Sequence, residues 1–180
     1  ELVGIPDPET FSQLPWDKRV ARVFCTCFRN REERENPGGH LTSDCRGNLR
    51  IIHNEFQDKY DGLHLRCGTE PEMMWLKRGE DGRPNGGVTK PNCYHIDQFE
   101  ELRPTFMKVI EYSQAMGLDM IQGDHEDAPG QLELNTMFDD VLRNADRLTT
   151  YRQICAQVAR EDGLIACFMS KPFMGVSASG

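Results

Sequence analysis

Residues 118–136, LDMIQGDHEDAPGQLELNT, decide how this chain is read. Residues 118–123 read as a strand, and Asp127-Ala128-Pro129-Gly130 reads as a turn, because proline presets φ and glycine accepts the backbone angles that turns demand. Residues 131–136 read as a second strand, so the segment predicts a β-hairpin with Glu126 and Glu133 flanking its turn. Glu133 sits between Leu132 and Leu134, and a carboxylate among apolar neighbours is costly unless paired or bound to a cation.

A second pair of glutamates stands upstream in Glu70-Pro71-Glu72, on a strand read over residues 63–76. Two residues apart on a strand, Glu70 and Glu72 point the same way, and Glu72 runs directly into Met73, Met74, Trp75 and Leu76. Clustered carboxylates without cysteine suit hard cations such as Mg²⁺ or Mn²⁺. Spacing by itself favours a plainer reading, in which each glutamate lies on the wet face of an amphipathic strand. Pro71 fits either reading at a sheet edge. His125 is a ligand, a proton carrier or a structural histidine, and its type alone favours the structural role. Lys171, before Pro172, could meet phosphate as a point charge, though a solvated lysine is the commoner case.

Outward from these carboxylates, residues 2–16 contain Pro6, Pro8 and Pro15 and read as an extended lead-in loop, followed by a strand over 20–28 and a charged surface excursion over 29–48. Leu49, Ile52, Phe56 and Tyr60 recur at helical spacing and predict a helix over 49–60. A Gly/Pro-rich loop over 79–92 leads to Asp97-x-x-Glu100, read as a capping box opening a helix with the stripe Phe99, Leu102, Phe106, Val109/Ile110 and Met116, bent at Pro104 and stopped at Gly117. Residues 138–162 form the strongest helical pattern, with Val141, Leu142, Ala145, Leu148, Ile154/Cys155 and Val158 on one face and Gly163 closing it, before a last strand over 164–169. There is no internal repeat or low-complexity segment. The fold class is α/β in the α+β sense.

Composition narrows the function. With 29 acidic against 21 basic residues, the net charge is −8, which argues against a nucleic-acid partner. Apolar runs are short and interrupted by charge, so no membrane span is expected, and residues 1–8 lack the pattern of a secretory signal. Seven cysteines, an odd number without paired CxxC spacing, point to a reducing cytoplasm rather than to a disulfide framework or zinc site. Cys25-x-Cys27 could bind a metal, but alternate strand positions more often place two small apolar groups on one face, the favoured reading.

The same residues carry a family resemblance. Gly68-Thr69-Glu70-Pro71-Glu72 resembles the G-x-E-x-E segment of glutamine synthetases, and Asp124 to Glu133 resembles their H-H-E-V-A-P-G-Q-x-E segment. Ala145-Asp146 and Phe168-Met169-Ser170-Lys171-Pro172 follow in the family's order, the latter similar to F-M-P-K-P. Upstream, Pro6-Asp7-Pro8-x-Thr10, Leu14-Pro15-Trp16 and Ala21-Arg22-Val23 are similar to the start of the family's catalytic domain. The resemblance implies a mostly antiparallel sheet flanked by helices, incomplete at the C-terminal end. Residues 1–19 would be a lead-in after a β-rich domain preceding Glu1, and 20–180 the first part of the catalytic domain.

Residue by residue, the resemblance implies that Glu72, Glu126 and Glu133 ligate the ion facing glutamate and the amine, and that Glu70 ligates a second ion facing ATP. The remaining ligands and the phosphate-clamping arginines would lie beyond Gly180. Lys171 is the candidate for contact with the phosphates. The activity implied is transfer of ATP's γ-phosphoryl to the γ-carboxylate of glutamate, then displacement of phosphate by ammonia or an amine, in a homo-oligomer with active sites between subunits. Asp124 and Asp127 depart from the commonest members, which have histidine and valine there, and the pattern resembles type III or glutamate–methylamine ligases more. This implies an organic amine acceptor, an alkylamine before an aromatic one, with an ordinary ammonia-using glutamine synthetase as the alternative. The family's ammonium-site tyrosine falls near Lys90, with Tyr94 close by, and Ala178 replaces a glycine of the substrate loop. An inactive structural homologue is disfavoured by the intact glutamates, and an unrelated phosphotransferase by the lack of a glycine-rich phosphate loop or kinase motifs.

Overall fold

The structure is a computed structural model, and it describes residues 2–32, 39–90 and 92–180. The chain divides into two compact units. One comprises the described residues up to Cys67 together with Asp139–Asp146, and the other Gly68–Phe138 with Arg147–Gly180.

In the first unit, the expected lead-in loop is instead structured. Strand β1 (Val3–Pro6) is followed by a single 3₁₀ turn (Pro8–Thr10) and β2 (Ser12–Leu14). The single strand expected over 20–28 is two, β3 (Asp17–Arg22) and β4 (Cys25–Phe28), because β3 turns back on β2 while β4 pairs with β1. Prolines at Pro6 and Pro8 suggested a loop, yet a two-stranded edge tolerates a residue without an amide donor. Cys25 and Cys27 both lie on β4, half-buried and free.

Helix α1 (Cys45–Lys59) starts four residues before the expected Leu49 and buries Gly47 and His53, whereas Ile52 and Tyr60 are exposed. Asp44, at its N-cap position, makes no capping bond with its side chain and instead accepts a hydrogen bond from the Cys27 amide at 2.9 Å, tying the helix start to β4. Arg46 lies between Asp146 (2.9 Å) and Asp7 (2.7 Å) with its side chain only 12% exposed. The short strands β5 (Arg66–Cys67) and β10 (Asp139–Asp140) pair antiparallel and complete this unit.

The second unit is built around β6 (Glu72–Arg78), which begins at Glu72 rather than at residue 63 and so leaves Glu70 outside the strand. One edge of β6 pairs with β11 (Leu164–Cys167). The other is shared by β9 (Gln131–Thr136) at Glu72–Met74 and by β7 (Pro84–Gly87), a strand inside the expected loop, at Leu76 and Arg78. Strand β8 (Met120–His125) closes the sheet against β9, as the expected hairpin. Met73, Met74, Trp75 and Leu76 are all at most 1% exposed, the signature of a strand covered on both faces. Met74 and Leu76 pack with Ala128 against Ile165, Cys167, Phe173 and Val176.

Helix α2 (Ile96–Ala115) buries Leu102, Phe106 and Val109 and continues unbroken through Pro104. The capping box does not form. His95 takes the N-cap position, Asp97 falls in the first turn where its charge still suits the helix dipole, and Glu100 pairs with Arg103 at 2.8 Å. Helix α3 (Val141–Glu161) buries Tyr151, Ile154, Cys155, Val158 and Ala159 and leaves Ala145 exposed. Among the described residues no helix is long and apolar enough to cross a membrane.

Candidate metal centre

The hairpin turn is held by fit rather than by flexibility. Gly130 has φ +73° and its Cα faces the Trp75 carbonyl so closely that an added Cβ would lie 2.3 Å from that oxygen. Across from it, Gly87 abuts Pro129, whose carbonyl oxygen an added Cβ would meet at 1.8 Å. Trp75 N–H donates to the Gly130 carbonyl at 2.7 Å, and Gly130 N–H donates to Thr89 Oγ1 at 2.8 Å. The turn is therefore locked onto β6 and β7, which fixes where Glu126 leaves β8.

This framework brings three glutamates together. Glu72 stands opposite Glu133 in the β6–β9 register, and Glu126 reaches them from the end of β8. One carboxylate oxygen of each lies within 4.8 Å of the others. Asp124, opposite Glu133 on the third strand, extends the acidic row. Burial first, then the charges of Glu72 and Glu133, push the Glu126 carboxyl up to about 7. Half-buried carboxylates converging from two strands and the end of a third, with one driven toward its protonated form, describe a place where a divalent cation relieves both repulsion and desolvation, so the residues fit a hard metal ion.

The sequence reading missed the side chains that orient these ligands. Gln131, 1% exposed, accepts the Ala128 amide on Oε1 at 2.8 Å and donates from Nε2 to Glu72 Oε2 at 2.6 Å and to the Ala178 carbonyl at 3.4 Å. Gly180 N–H also donates to Glu72 Oε2, at 2.9 Å, and Asn135 Nδ2 donates to Glu133 Oε1 at 2.5 Å. A buried glutamine between a turn and a carboxylate is the signal that could have found Gln131, since such an amide must satisfy its polar atoms locally.

His125 takes the structural role. It is 2% exposed, with Nε2 at 2.9 Å from Thr89 Oγ1, and burial pushes its pKa down, against the pull of the Asn92 backbone. Glu70 and Lys171 are both exposed, and Glu70 is not part of the three-glutamate group. Tyr94, at φ +56° and 75% exposed, lies in the field of the cluster: the charge of Glu126, then Cys93, pushes its phenol pKa up. Beside it opens a cavity of about 230 Å³ lined by Tyr94, His95, Ile96, Phe99, Gly123, Asp124 and His125.

A glutamine synthetase of Methanococcus voltae is 31% identical over the whole chain, and a glutamate–methylamine ligase of Methyloversatilis universalis is 30% identical over the whole chain; each match covers 39% of the relative. Among solved structures, one described as apo GmaS without ligand superposes with a TM-score of 0.84 at 28% identity, covering 98% of this chain and 40% of that one. The chain thus spans about two fifths of the length of these relatives. Residues 42–180 match the family described as "Glutamine synthetase, catalytic domain", and the chain belongs to that family.

Proposed function

We propose that the protein containing this chain joins the γ-carboxylate of glutamate to an amine at the expense of ATP, with an organic amine as acceptor. The observation that carries this reading is the convergence of Glu72, Glu126 and Glu133 within 4.8 Å on one sheet, in a chain of the glutamine synthetase catalytic family. Support for the acceptor comes from similarity to a named glutamate–methylamine ligase and from Asp124 and Asp127 beside the cluster.

In this reading Glu72, Glu126 and Glu133 hold a Mg²⁺ or Mn²⁺ ion, and Glu70 a second. Bound there, such ions neutralise the anionic oxygens of ATP and glutamate, whose mutual repulsion dominates the first step. The chain's own contribution is placement. Gln131 and the Gly180 amide fix the Glu72 carboxylate, and Asn135 fixes Glu133. His125, buried, with its pKa pushed down by that burial and its Nε2 against Thr89, anchors the β8 end. Lys171, exposed after β11, is assigned to the phosphates. Carboxylate oxygens of the cluster not taken by an ion accept the proton that an alkylammonium must lose before it attacks, which requires an acid–base group near the working pH. Assembly into a homo-oligomer with active sites between subunits, residues 1–19 as a lead-in to the catalytic domain, and a cytoplasmic location belong to the same proposal and rest on family resemblance.

The ammonia-using reading is favoured by the similarity to a named glutamine synthetase. A product assay of the full-length protein with glutamate, ATP and ammonium, methylamine, isopropylamine or aniline separates the two. Higher kcat/KM for an organic amine supports the proposal, and a strong preference for ammonium over all of them replaces it with the second reading.

A further inference from the structure

The first unit holds a constellation that the glutamate chemistry leaves unused. His53 lies on the buried face of α1, His64 in the segment between α1 and β5, and Asp140 in β10 at the start of α3. One ligand atom from each falls within 4.8 Å of the others. His53 Nε2 is 3.3 Å from Asp140 Oδ2, and the two imidazole rings are 5.6 Å apart between centroids.

His53 is the informative member. Its side chain is 9% exposed, and neither ring nitrogen has a hydrogen-bond partner among the described residues. A neutral imidazole carries one N–H and one lone pair, and burying both without partners is costly. A cation on the lone pair removes much of that cost. The other two residues are already oriented. Asp140 Oδ1 accepts the Leu142 amide at 3.0 Å, capping the start of α3 and leaving Oδ2 toward His53. Gln57, one helical turn beyond His53, sets its amide nitrogen 2.9 Å from His64 Nε2 and 3.2 Å from Nδ1. An amide nitrogen donates, so Gln57 holds the His64 lone pair in the absence of an ion, and an ion takes that lone pair by displacing the amide. The Leu142 bond to Asp140 is of the kind that fixes carboxylate orientation in metal sites.

We propose that His53, His64 and Asp140 bind a transition-metal dication of the zinc class. Two imidazoles and one carboxylate match the nitrogen-rich preference of Zn²⁺, whereas the all-carboxylate cluster of the second unit matches Mg²⁺ or Mn²⁺. Three protein ligands leave a fourth position for water. Because they come from α1, the segment after it and the start of α3, the ion clamps three separate stretches of one unit. The site is independent of the acceptor and of the ligase reading.

The test strips the full-length protein with a chelator, re-equilibrates it with Zn²⁺ under excess Mg²⁺, and measures bound zinc, zinc X-ray absorption and Tm. His64 is exposed, so His64→Ala removes a ligand without opening the core, and Asp140→Asn is a second, nearly isosteric probe. Expected are about one Zn²⁺ per chain with imidazole scattering from two histidines in the wild type and in Glu72→Gln/Glu133→Gln, and a zinc-dependent rise in Tm. His64→Ala and Asp140→Asn should each weaken zinc binding by roughly tenfold or more. Wild-type zinc affinity in both variants, oxygen-only scattering, or loss of zinc in the glutamate variant overturns the site. No zinc binding by the wild type also overturns it.

Discussion

Glu72 and Glu133 stand directly opposite one another in the antiparallel pairing of β6 with β9. Opposed residues share a face, so two like charges meet where a sheet is ordinarily stabilised by attraction. A fold that places Glu126 and Asp124 beside them accumulates repulsion that a divalent cation offsets. Glu133→Gln is therefore expected to weaken Mn²⁺ binding to the second unit by at least roughly tenfold, and to depress ligase activity of the full-length protein comparably. Calorimetric titration of Mn²⁺ beside the activity assay checks this, and unchanged values in both remove the glutamates as ligands.

Gln131 should matter nearly as much, although it carries no charge. Its amide satisfies the Ala128 N–H, the Glu72 carboxylate and the Ala178 carbonyl while only 1% exposed. Gln131→Met keeps the volume and deletes all three partners. The expected cost is about 1–3 kcal/mol of stability, from unpaired buried polar groups, with a Mn²⁺ affinity roughly 10–100-fold weaker because Glu72 loses its orienting bond. Denaturant unfolding and metal titration on the same variant separate the two effects. A stability loss with normal metal affinity would limit Gln131 to holding the turn.

What could be read from sequence follows from which interactions are local. The 118–136 hairpin was legible because its turn chemistry and strand pattern lie within one short segment, and helix α3 because its stripe runs for six turns. The boundaries of β6 were not. The sequence pattern reads as a strand from residue 63, and only pairing with β9 and β11 places its start at Glu72. The β1–β4 pair joins distant residues, from Val3 with Phe28 to Pro6 with Cys25, so the prolines in residues 2–16 read locally as a loop. Helix α1 is legible from the spacing of Leu49, Ile52, Phe56 and Tyr60, but the spacing does not show that His53 turns inward while Ile52 faces solvent. At the site, the glutamates are legible as a motif, whereas Gln131 and the Gly180 amide reach Glu72 across the sheet or from beyond it, and Asn135 reaches Glu133 from two residues along β9.

Gly130→Ala tests the locked turn. The residue combines φ +73° with a Cα so close to the Trp75 carbonyl that a Cβ would fall 2.3 Å from that oxygen. The left-handed angle alone costs a non-glycine residue of order 1 kcal/mol, and the clash forces the turn off β6. The total expected loss exceeds about 2 kcal/mol. Gly163→Ala serves as the control, since Gly163 shares the positive φ (+69°) but has nothing within 4 Å of an added Cβ. Similar thermal shifts in the two variants would show that packing against Trp75 contributes little.

Arg46 probes the first unit. Its guanidinium, 12% exposed, bridges Asp7 and Asp146 from two distant parts of the sequence, and Asp7 is held below the usual carboxylate range chiefly by that hydrogen bond. Arg46→Met removes the main partner of both carboxylates but leaves Arg50 at 3.0 Å from Asp7, so the expected loss is about 1–3 kcal/mol, below that for a fully buried pair. The triple variant with Asp7→Asn and Asp146→Asn removes the stranded charges as well and should recover part of the loss. Equal stability of the single and triple variants would show that the aspartates are solvated well enough to stand alone.

The last expectation concerns protons at Glu126, whose carboxyl is pushed up to about 7 by burial first and then by Glu72 and Glu133, against a reference value of 4.5. Between those two values the folded chain binds a proton that the unfolded chain does not, so without a cation this group makes stability fall as pH rises from about 4.5 to about 7. A cation must displace the same proton, so Mn²⁺ affinity should drop by about tenfold per pH unit below about 7 and level off above it. Mn²⁺ should accordingly raise Tm more at pH about 8 than at pH about 5.5, although the metal-free chain gains from Glu126 at the lower pH. Metal titrations across this range, repeated on Glu126→Gln, decide the point. That variant binds more weakly overall and should lose the slope below pH 7. A slope that survives in Glu126→Gln would assign the proton to another group of the cluster, and a flat profile in the wild type would show that Glu126 is ionised throughout.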